Sequence, residues 1–409
     1  MKNLKPQLVL SLREYSKEKL VKDLVAGVIV AIIALPLSIA LALASGVSPE
    51  QGLYTAIVAG FLISALGGST VQIAGPTAAF ATIVAGIVAK SGMEGLAAAT
   101  VLAGVILAVM GVLGLGSLIR YIPGPLTTGF TAGIAVTILI GQLKDFLGLT
   151  FRNAPIETME KLAEAAACIG TLNAAALGVG CLTLAILIIW PKFFKTIPAS
   201  LIAVLVTAGA VKLFRLPVNT IGDLYTISSG LPPFRLPALS LGTVTAVLPD
   251  AATIAVLAAI ESLLSCVVAD EMTGTKHNSN MELVAQGVGN AASALFGGIP
   301  ATGAIARTAA NIKNGGSSPV AGMVHAAVLL AVLVFLMPYA AILFQVAYNM
   351  SGWRKVADAF RGPSRTDVLV LLVTLVLTVV FDLVIAIAVG LVLYYALLFL
   401  KRKSKQKEL

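Results

Sequence analysis

Ionisable residues are missing from long stretches of this chain. No Asp, Glu, Lys or Arg occurs between Leu24 and Ala44, between Gly95 and Ile119, or between Asn314 and Trp353. A helix needs roughly 20 apolar residues to cross the hydrocarbon of a bilayer. Inside that medium only helices and closed barrels satisfy their own backbone groups. The pattern therefore predicts an all-α polytopic membrane protein. Composition agrees: 11% of the 409 residues are charged, against about 25% in a soluble domain. The charged opening (Lys2, Lys5, Arg13, Lys17, Lys19, Lys22) shows no early cleavage site, so no secretory leader is expected.

Candidate spans start near Asp23, Pro49, Gly75, Gly95, Pro125, Thr171, Pro198, Thr243, Met281, Gly303, Pro319, Ala340, Asp367 and Leu383, fourteen in all. An even number puts both termini on one side. With both inside, the 28 Lys and Arg divide into 21 on inner loops and 7 on outer ones. That excess obeys the positive-inside rule and accounts for the net charge of +9, which in so apolar a chain is no sign of nucleic acid. The expected location is the inner (plasma) membrane. Cys168, Cys181 and Cys266 lack disulfide or metal-ligand spacing and read as packing residues. His277 and His325 look isolated, and no metal or cofactor is expected.

The chain also repeats itself. Ser64-Ala-Leu-Gly-Gly68 precedes Ile73-Ala-Gly-Pro-Thr-Ala-Ala-Phe-Ala81, and Ser293-Ala-Leu-Phe-Gly-Gly298 precedes Ile299-Pro-Ala-Thr-Gly-Ala-Ile-Ala-Arg307. Each copy joins a helix ending in Gly-Gly to an extended stretch, then to a Pro/Gly/Thr turn that opens a short Ala-rich helix. With seven spans per half, the copies cross the membrane in opposite directions. Paired, interrupted segments of this kind point to a transporter's binding site. A helix that begins in mid-membrane presents unpaired N–H groups and the positive end of its dipole, so two such ends form an anion trap. Small residues at Gly75, Thr77, Thr302 and Gly303 would let an oxyanion approach the backbone, and Thr77 and Thr302 add hydroxyl donors. Arg307, one turn into the second short helix, is either a nearby positive charge or a charge on the cytoplasmic rim.

Glu261 stands in the apolar run that follows Ala251 and is expected to be the one acid well inside a span. Desolvation disfavours its ionised form, so it can take up and release a proton in each cycle. Alternatively Glu261, Ser265 and carbonyls of the second broken helix coordinate Na⁺, or Glu261 is a static partner for Arg307. Asp382 is assigned to the turn between the last two spans. No nucleophile–base pair or metal-ligand cluster occurs in the apolar segments, which argues against an enzyme.

The segment Ile33–Gly46 with Gly52-Leu-Tyr54 resembles the first two spans of the SulP (sulfate permease) family. So do Gly75-Pro-Thr77, Glu261-Ser-Leu-Leu264, Val268-Ala-Asp270 to His277-Asn278, Gly297-Gly-Ile-Pro300 with Arg307-Thr308, and Tyr348-Asn-Met350. The match covers most of residues 20–400. It implies a 7+7 inverted repeat with two broken helices meeting at mid-membrane, segments 1–4 and 8–11 forming a core and 5–7 and 12–14 a gate. In residues, 1–22 precede the first repeat at 23–215, 216–242 link it to the second at 243–400, and 401–409 form a basic cytoplasmic tail.

Carried over, the resemblance implies an anion pocket at Leu37, Leu41, Pro76, Thr77, Ala301, Thr302, Gly303, Ala304 and Arg307. Glu261 then sits where proton-coupled members have Glu and sodium-coupled bicarbonate carriers have Asp. The implied function is secondary, elevator-type transport of sulfate, bicarbonate or a dicarboxylate with a proton, by a homodimer. Na⁺-coupled bicarbonate symport and an uncoupled channel or exchanger are the alternatives. Two features depart from the family. Its members usually continue into a cytoplasmic STAS domain, whereas this chain ends at Leu409, and Met337–Phe344 is about ten residues shorter than the family's stretch between segments 11 and 12.

Overall fold

A computed structural model describes residues 4–121, 124–153, 155, 157–194, 199–218, 230–336, 365–380 and 389–397. The expectations placed on Asp382, Met337–Phe344, Tyr348–Met350, the spans starting at Ala340 and Leu383, and the tail at 401–409 lie outside the described residues. The chain divides into two compact units, one of residues 1–119 and 178–347, the other of 120–177 and 348–409.

The first unit contains the site. Helix α1 (Lys17–Ala44) is capped by Ser16, whose hydroxyl accepts from the Lys19 N–H at 3.2 Å. α2 (Pro49–Leu66) opens with Pro49 at its first position and a reciprocal Ser48–Gln51 capping box. α3 (Ala81–Val112) is two helices in one: Gly92, at φ 65°, breaks it where the sequence reading starts a new span near Gly95. Left-handed backbone is open to glycine at little cost, so the chain changes direction there. Then follow α4 (Leu241–Thr273), α5 (Ser279–Leu295), the short α6 (Ile305–Lys313) and α7 (Pro319–Ala331). Four described helices are long and apolar enough to cross a membrane: Lys17–Ala44, Ala78–Val112, Ala174–Phe193 and Leu241–Thr273.

Packing rests on small residues, as expected where lipid offers no hydrophobic drive between helices. α3 and α5 meet through Gly104 and Gly287. A Cβ on Gly104 would lie 2.6 Å from the Gly287 carbonyl oxygen, and one on Gly287 would lie 2.5 Å from that of Gly104. α1 is tied to the start of α7 by Asp23, fully buried, whose carboxylate accepts from the Ser317 N–H (2.7 Å), the Ser318 N–H (3.2 Å), the Ser318 hydroxyl and the Tyr15 hydroxyl (2.8 Å).

Two two-residue strands, β1 (Ala74–Gly75) and β2 (Thr302–Gly303), pair antiparallel with Ala74 opposite Gly303 and Gly75 opposite Thr302. The Ala304 N–H extends the ladder to the Ile73 carbonyl at 2.8 Å. These are the extended stretches of the two sequence copies, running in opposite directions and side by side.

In the second unit, Gly124–Phe146 packs on Arg365–Val380 by the same small-residue logic. A Cβ on Gly129 would lie 2.6 Å from the Leu371 carbonyl oxygen.

Candidate anion-binding site

Each broken helix starts just beyond its strand. After β1, Thr77 leads into a 3₁₀ turn (Ala78–Phe80) and then α3. After β2, Ala304 leads into α6. Neither start has a side-chain cap, so the first N–H groups of both helices remain available.

The two threonines and Glu261 form one cluster. The Thr77 hydroxyl donates to Glu261 Oε2 at 2.8 Å, and the Thr302 hydroxyl lies 2.9 Å from the same oxygen. Thr302 Oγ1 has two further acceptors within reach, Thr77 Oγ1 and the Gly303 carbonyl, each at 3.3 Å. One O–H serves one acceptor at a time, so its direction depends on what Glu261 offers. α4 supplies a second anchor one residue on, where the Ser262 hydroxyl accepts from the Gly303 N–H at 3.0 Å.

The Ser265 hydroxyl, which the sequence reading grouped with Glu261, donates instead to Thr308 Oγ1 at 3.3 Å. Thr308 Oγ1 in turn accepts from the Ile73 N–H at 3.0 Å. Ser265, on α4, thus braces the first crossover through Thr308 of α6.

Arg307 is 3% exposed, so its guanidinium lies within protein and is not a solvated surface charge. Its Nη2 donates to the Pro76 carbonyl, tying α6 to the first crossover. The ion pairs among the described residues are Lys22–Glu18 and His277–Asp270, so Glu261 is not a salt-bridge partner of Arg307. Leu41 is buried and Leu37 half-buried on α1, which packs against α6. Ala301, Thr302, Gly303 and Ala304 are buried along the second crossover.

Gly303 requires a correction. The open approach expected of it is filled by Gln72, whose amide atoms would lie 2.4–2.8 Å from a Cβ at Gly303. Gln72 is itself held, donating to Glu282 Oε1 at 2.6 Å and accepting from the Cys266 thiol at 3.0 Å. Gly75 is constrained in the same way: a Cβ there would lie 2.3 Å from Arg307 Nη1.

Three features escaped the sequence reading. Glu282, expected near the start of a span, is fully buried, so Glu261 is not the one acid inside. Its Oε2 accepts from the Gly68 N–H (2.9 Å) and its Oε1 from Gln72 and from Gln286 Nε2 (2.9 Å). Asn290, one turn beyond Gln286, grips Ala301 at both ends, accepting from its N–H at 2.8 Å and donating to its carbonyl at 2.9 Å. The signal was present: Glu282, Gln286 and Asn290 recur at i, i+4 and i+8, one polar stripe along α5. His277 is not isolated, because its Nδ1 lies 2.7 Å from Asp270 Oδ2 and its Nε2 lies 2.9 Å from the Ser279 hydroxyl.

The Asn290 clamp makes a direct prediction. Asn290→Ala strands a buried N–H and a buried carbonyl at Ala301, each costing roughly 1–3 kcal/mol. The variant should unfold at a markedly lower temperature in detergent and lose anion-induced stabilisation. An unshifted melting curve would show that the clamp contributes nothing.

A family model described as the sulfate permease family matches residues 20–374. The putative sulfate transporter YvdB of Bacillus subtilis is 45% identical over 402 residues, covering 96% of this chain and 76% of that protein. The bicarbonate transporter BicA of Picosynechococcus sp. is 34% identical over 407 residues, covering 94% of this chain and 71% of its own length. Among solved structures, the transmembrane domain of a cyanobacterial bicarbonate transporter BicA superposes with a TM-score of 0.81 at 30% identity, over 91% of this chain and 98% of that one. The all-α, inverted-repeat membrane fold expected from the sequence is the fold of these neighbours.

Proposed function

Because the chain belongs to the sulfate permease family, we propose that it is a secondary transporter of a small anion, coupled to protons and working by an elevator movement. The observation that carries this reading is the meeting of both crossover hydroxyls on one oxygen of Glu261. An oxyanion lodged at the two helix starts needs those same donors. Ionised Glu261 competes for them and places a negative charge beside the anion. Protonated Glu261 releases them and removes the charge. Proton and anion therefore bind together, and departure of one expels the other.

In this scheme the donors are the Thr77 and Thr302 hydroxyls and the uncapped first N–H groups of the two broken helices. Pro76, Ala301, Gly303 and Ala304 shape the crossovers that present them, and Leu37 and Leu41 form an apolar wall. Arg307 supplies positive potential while holding Pro76 in place. Relatives named for sulfate and for bicarbonate support a compact oxyanion as substrate. Family membership also supports a core of segments 1–4 and 8–11 moving against a gate of segments 5–7 and 12–14. On this reading both termini are cytoplasmic, the membrane is the plasma membrane, and the working unit is a homodimer.

A second reading draws on the same atoms. Glu261 Oε2, Thr77 Oγ1, Thr302 Oγ1 and the Gly303 carbonyl gather four oxygens, a hard donor set that also suits Na⁺.

Uptake of radiolabelled sulfate and bicarbonate into proteoliposomes separates the readings. Accumulation should follow an inward proton gradient and be indifferent to Na⁺. Dependence on Na⁺ at fixed pH would assign the oxygens to sodium. Indifference to both gradients would make the protein an uncoupled channel or exchanger. If neither anion is moved, the substrate assignment is wrong.

A further inference from the structure

A second polar group gathers where α2, α6 and α7 meet the first crossover. Arg307 uses Nη2 on the Pro76 carbonyl, but its Nη1 has no hydrogen-bond partner among the described residues. His325, on α7, is fully buried, and neither ring nitrogen has a hydrogen-bond partner among the described residues. Ser64 on α2 is 5% exposed, and its hydroxyl is also unpaired among the described residues.

Glycines show how close these elements come. A Cβ on Gly60, one turn before Ser64, would lie 3.2 Å from the Ala74 carbonyl oxygen and 3.9 Å from the His325 ring. A Cβ on Gly322, one turn before His325, would lie 2.1 Å from Ser64 Oγ. Gly75 lies against Arg307 Nη1 and Ala56. Bare glycines thus bring a guanidinium, an imidazole and a hydroxyl together around β1.

Buried polar atoms in folded proteins are nearly always paired, with protein or with ordered water. The inventory of donors and acceptors says with which. Arg307 Nη1 can only donate. A neutral imidazole offers one donor and one bare acceptor nitrogen, and a hydroxyl offers both. An anion would accept from Arg307 but would face the lone pair of the imidazole. Water accepts from the guanidinium and donates to the ring, so it completes the set.

We propose that His325 is a positioning residue for Arg307, joined to it by ordered water held against Ser64, and that it tunes anion affinity without touching the anion. The link runs from His325 through Arg307 Nη1 to Nη2 and the Pro76 carbonyl, and so to the start of the first broken helix at Thr77. The proposal rests on the anion-site reading above for its effect on affinity. The bridge itself does not depend on that reading.

The test exploits the fact that the chain has two histidines. Full-length protein labelled with ¹⁵N-histidine in lipid nanodiscs gives two imidazoles, and His277→Asn identifies the resonances of His325. These should show one protonated and one hydrogen-bonded bare nitrogen, and should move well beyond the linewidth in Arg307→Ala and Arg307→Lys. Unmoved resonances in both variants overturn the bridge, whichever anion the protein carries.

Affinity supplies the second arm, with sulfate and bicarbonate as probes. His325→Leu should weaken binding about tenfold, and His325→Gln, which keeps a donor and an acceptor, should restore most of it. In an Arg307→Ala background His325→Leu should have no further effect, because coupled residues are not additive. Additive losses would overturn the route through Arg307. If wild-type protein binds neither probe, the anion-site reading fails while the resonances still decide the bridge. Where His325→Leu does not fold, His325→Gln and Arg307→Lys carry the same comparison.

Discussion

Glu261→Gln vesicles should bind anion and exchange one anion for another, yet fail to concentrate it against a gradient. The amide keeps a carbonyl oxygen where Thr77 and Thr302 now donate, so the cluster survives. It carries no negative charge and cannot change protonation, so it holds the hydroxyls less tightly than a carboxylate does and yields them to the anion at any pH. Anion affinity of Glu261→Gln should not change as external pH is raised, whereas wild-type affinity should fall as Glu261 loses its proton. Accumulation driven by an inward proton gradient should drop to the level of passive exchange. Continued gradient-driven uptake by Glu261→Gln would remove the proton from this residue.

The second large effect belongs to Gly303. A leucine here meets the Gln72 amide, which is pinned between Glu282 and Cys266 and has nowhere to go. Overpacking of a site held this firmly destabilises by several kcal/mol, roughly the range of the most damaging single substitutions. Gly303→Leu should therefore yield little folded protein, not a folded protein that has lost only its ligand. Gly303→Ala should be intermediate. Adding Gln72→Ala, which clears the space, should recover folded yield in Gly303→Ala/Gln72→Ala. If Gly303→Leu is folded and merely fails to bind, then the glycine faces the anion and the packing argument is wrong.

The broken helices were legible because two unlike requirements coincide in them. Glycine and proline interrupt apolar runs at matching places in both halves, and a membrane tolerates interruption only where protein or a cavity covers it. Helix starts at Pro49 and Pro319 were legible from proline at the first helical position. Thr77, Thr302 and Glu261 could each be named from local sequence. Their convergence could not, since Thr77 and Glu261 are 184 residues apart and no periodicity spans that distance.

Ser265 shows the same limit at short range. Ser262 and Ser265 both flank Glu261, and only the crossover decides that Ser262 receives Gly303 while Ser265 turns to Thr308. Glu282 was passed over because polar residues near the start of a helix usually meet water, whereas here it meets the Gly68 turn. Asn290, deep in the same helix, was passed over because its partner Ala301 lies beyond the helix end. The i, i+4, i+8 spacing marks a shared face, but whether that face is wet or buried is a tertiary fact.

The strand pair has a consequence for how the protein is made. Ala74 and Gly303 lie about 230 residues apart, yet each supplies the hydrogen bonds the other lacks. At the usual pace of about 5–20 residues per second, a ribosome needs on the order of 10–50 seconds to travel from one to the other. Throughout that interval the first crossover is inside or beside the bilayer with no antiparallel neighbour. The nascent first half is thus an unfinished molecule with bare amides at mid-membrane, and it depends on water, on the insertion machinery or on delayed insertion until its counterpart emerges.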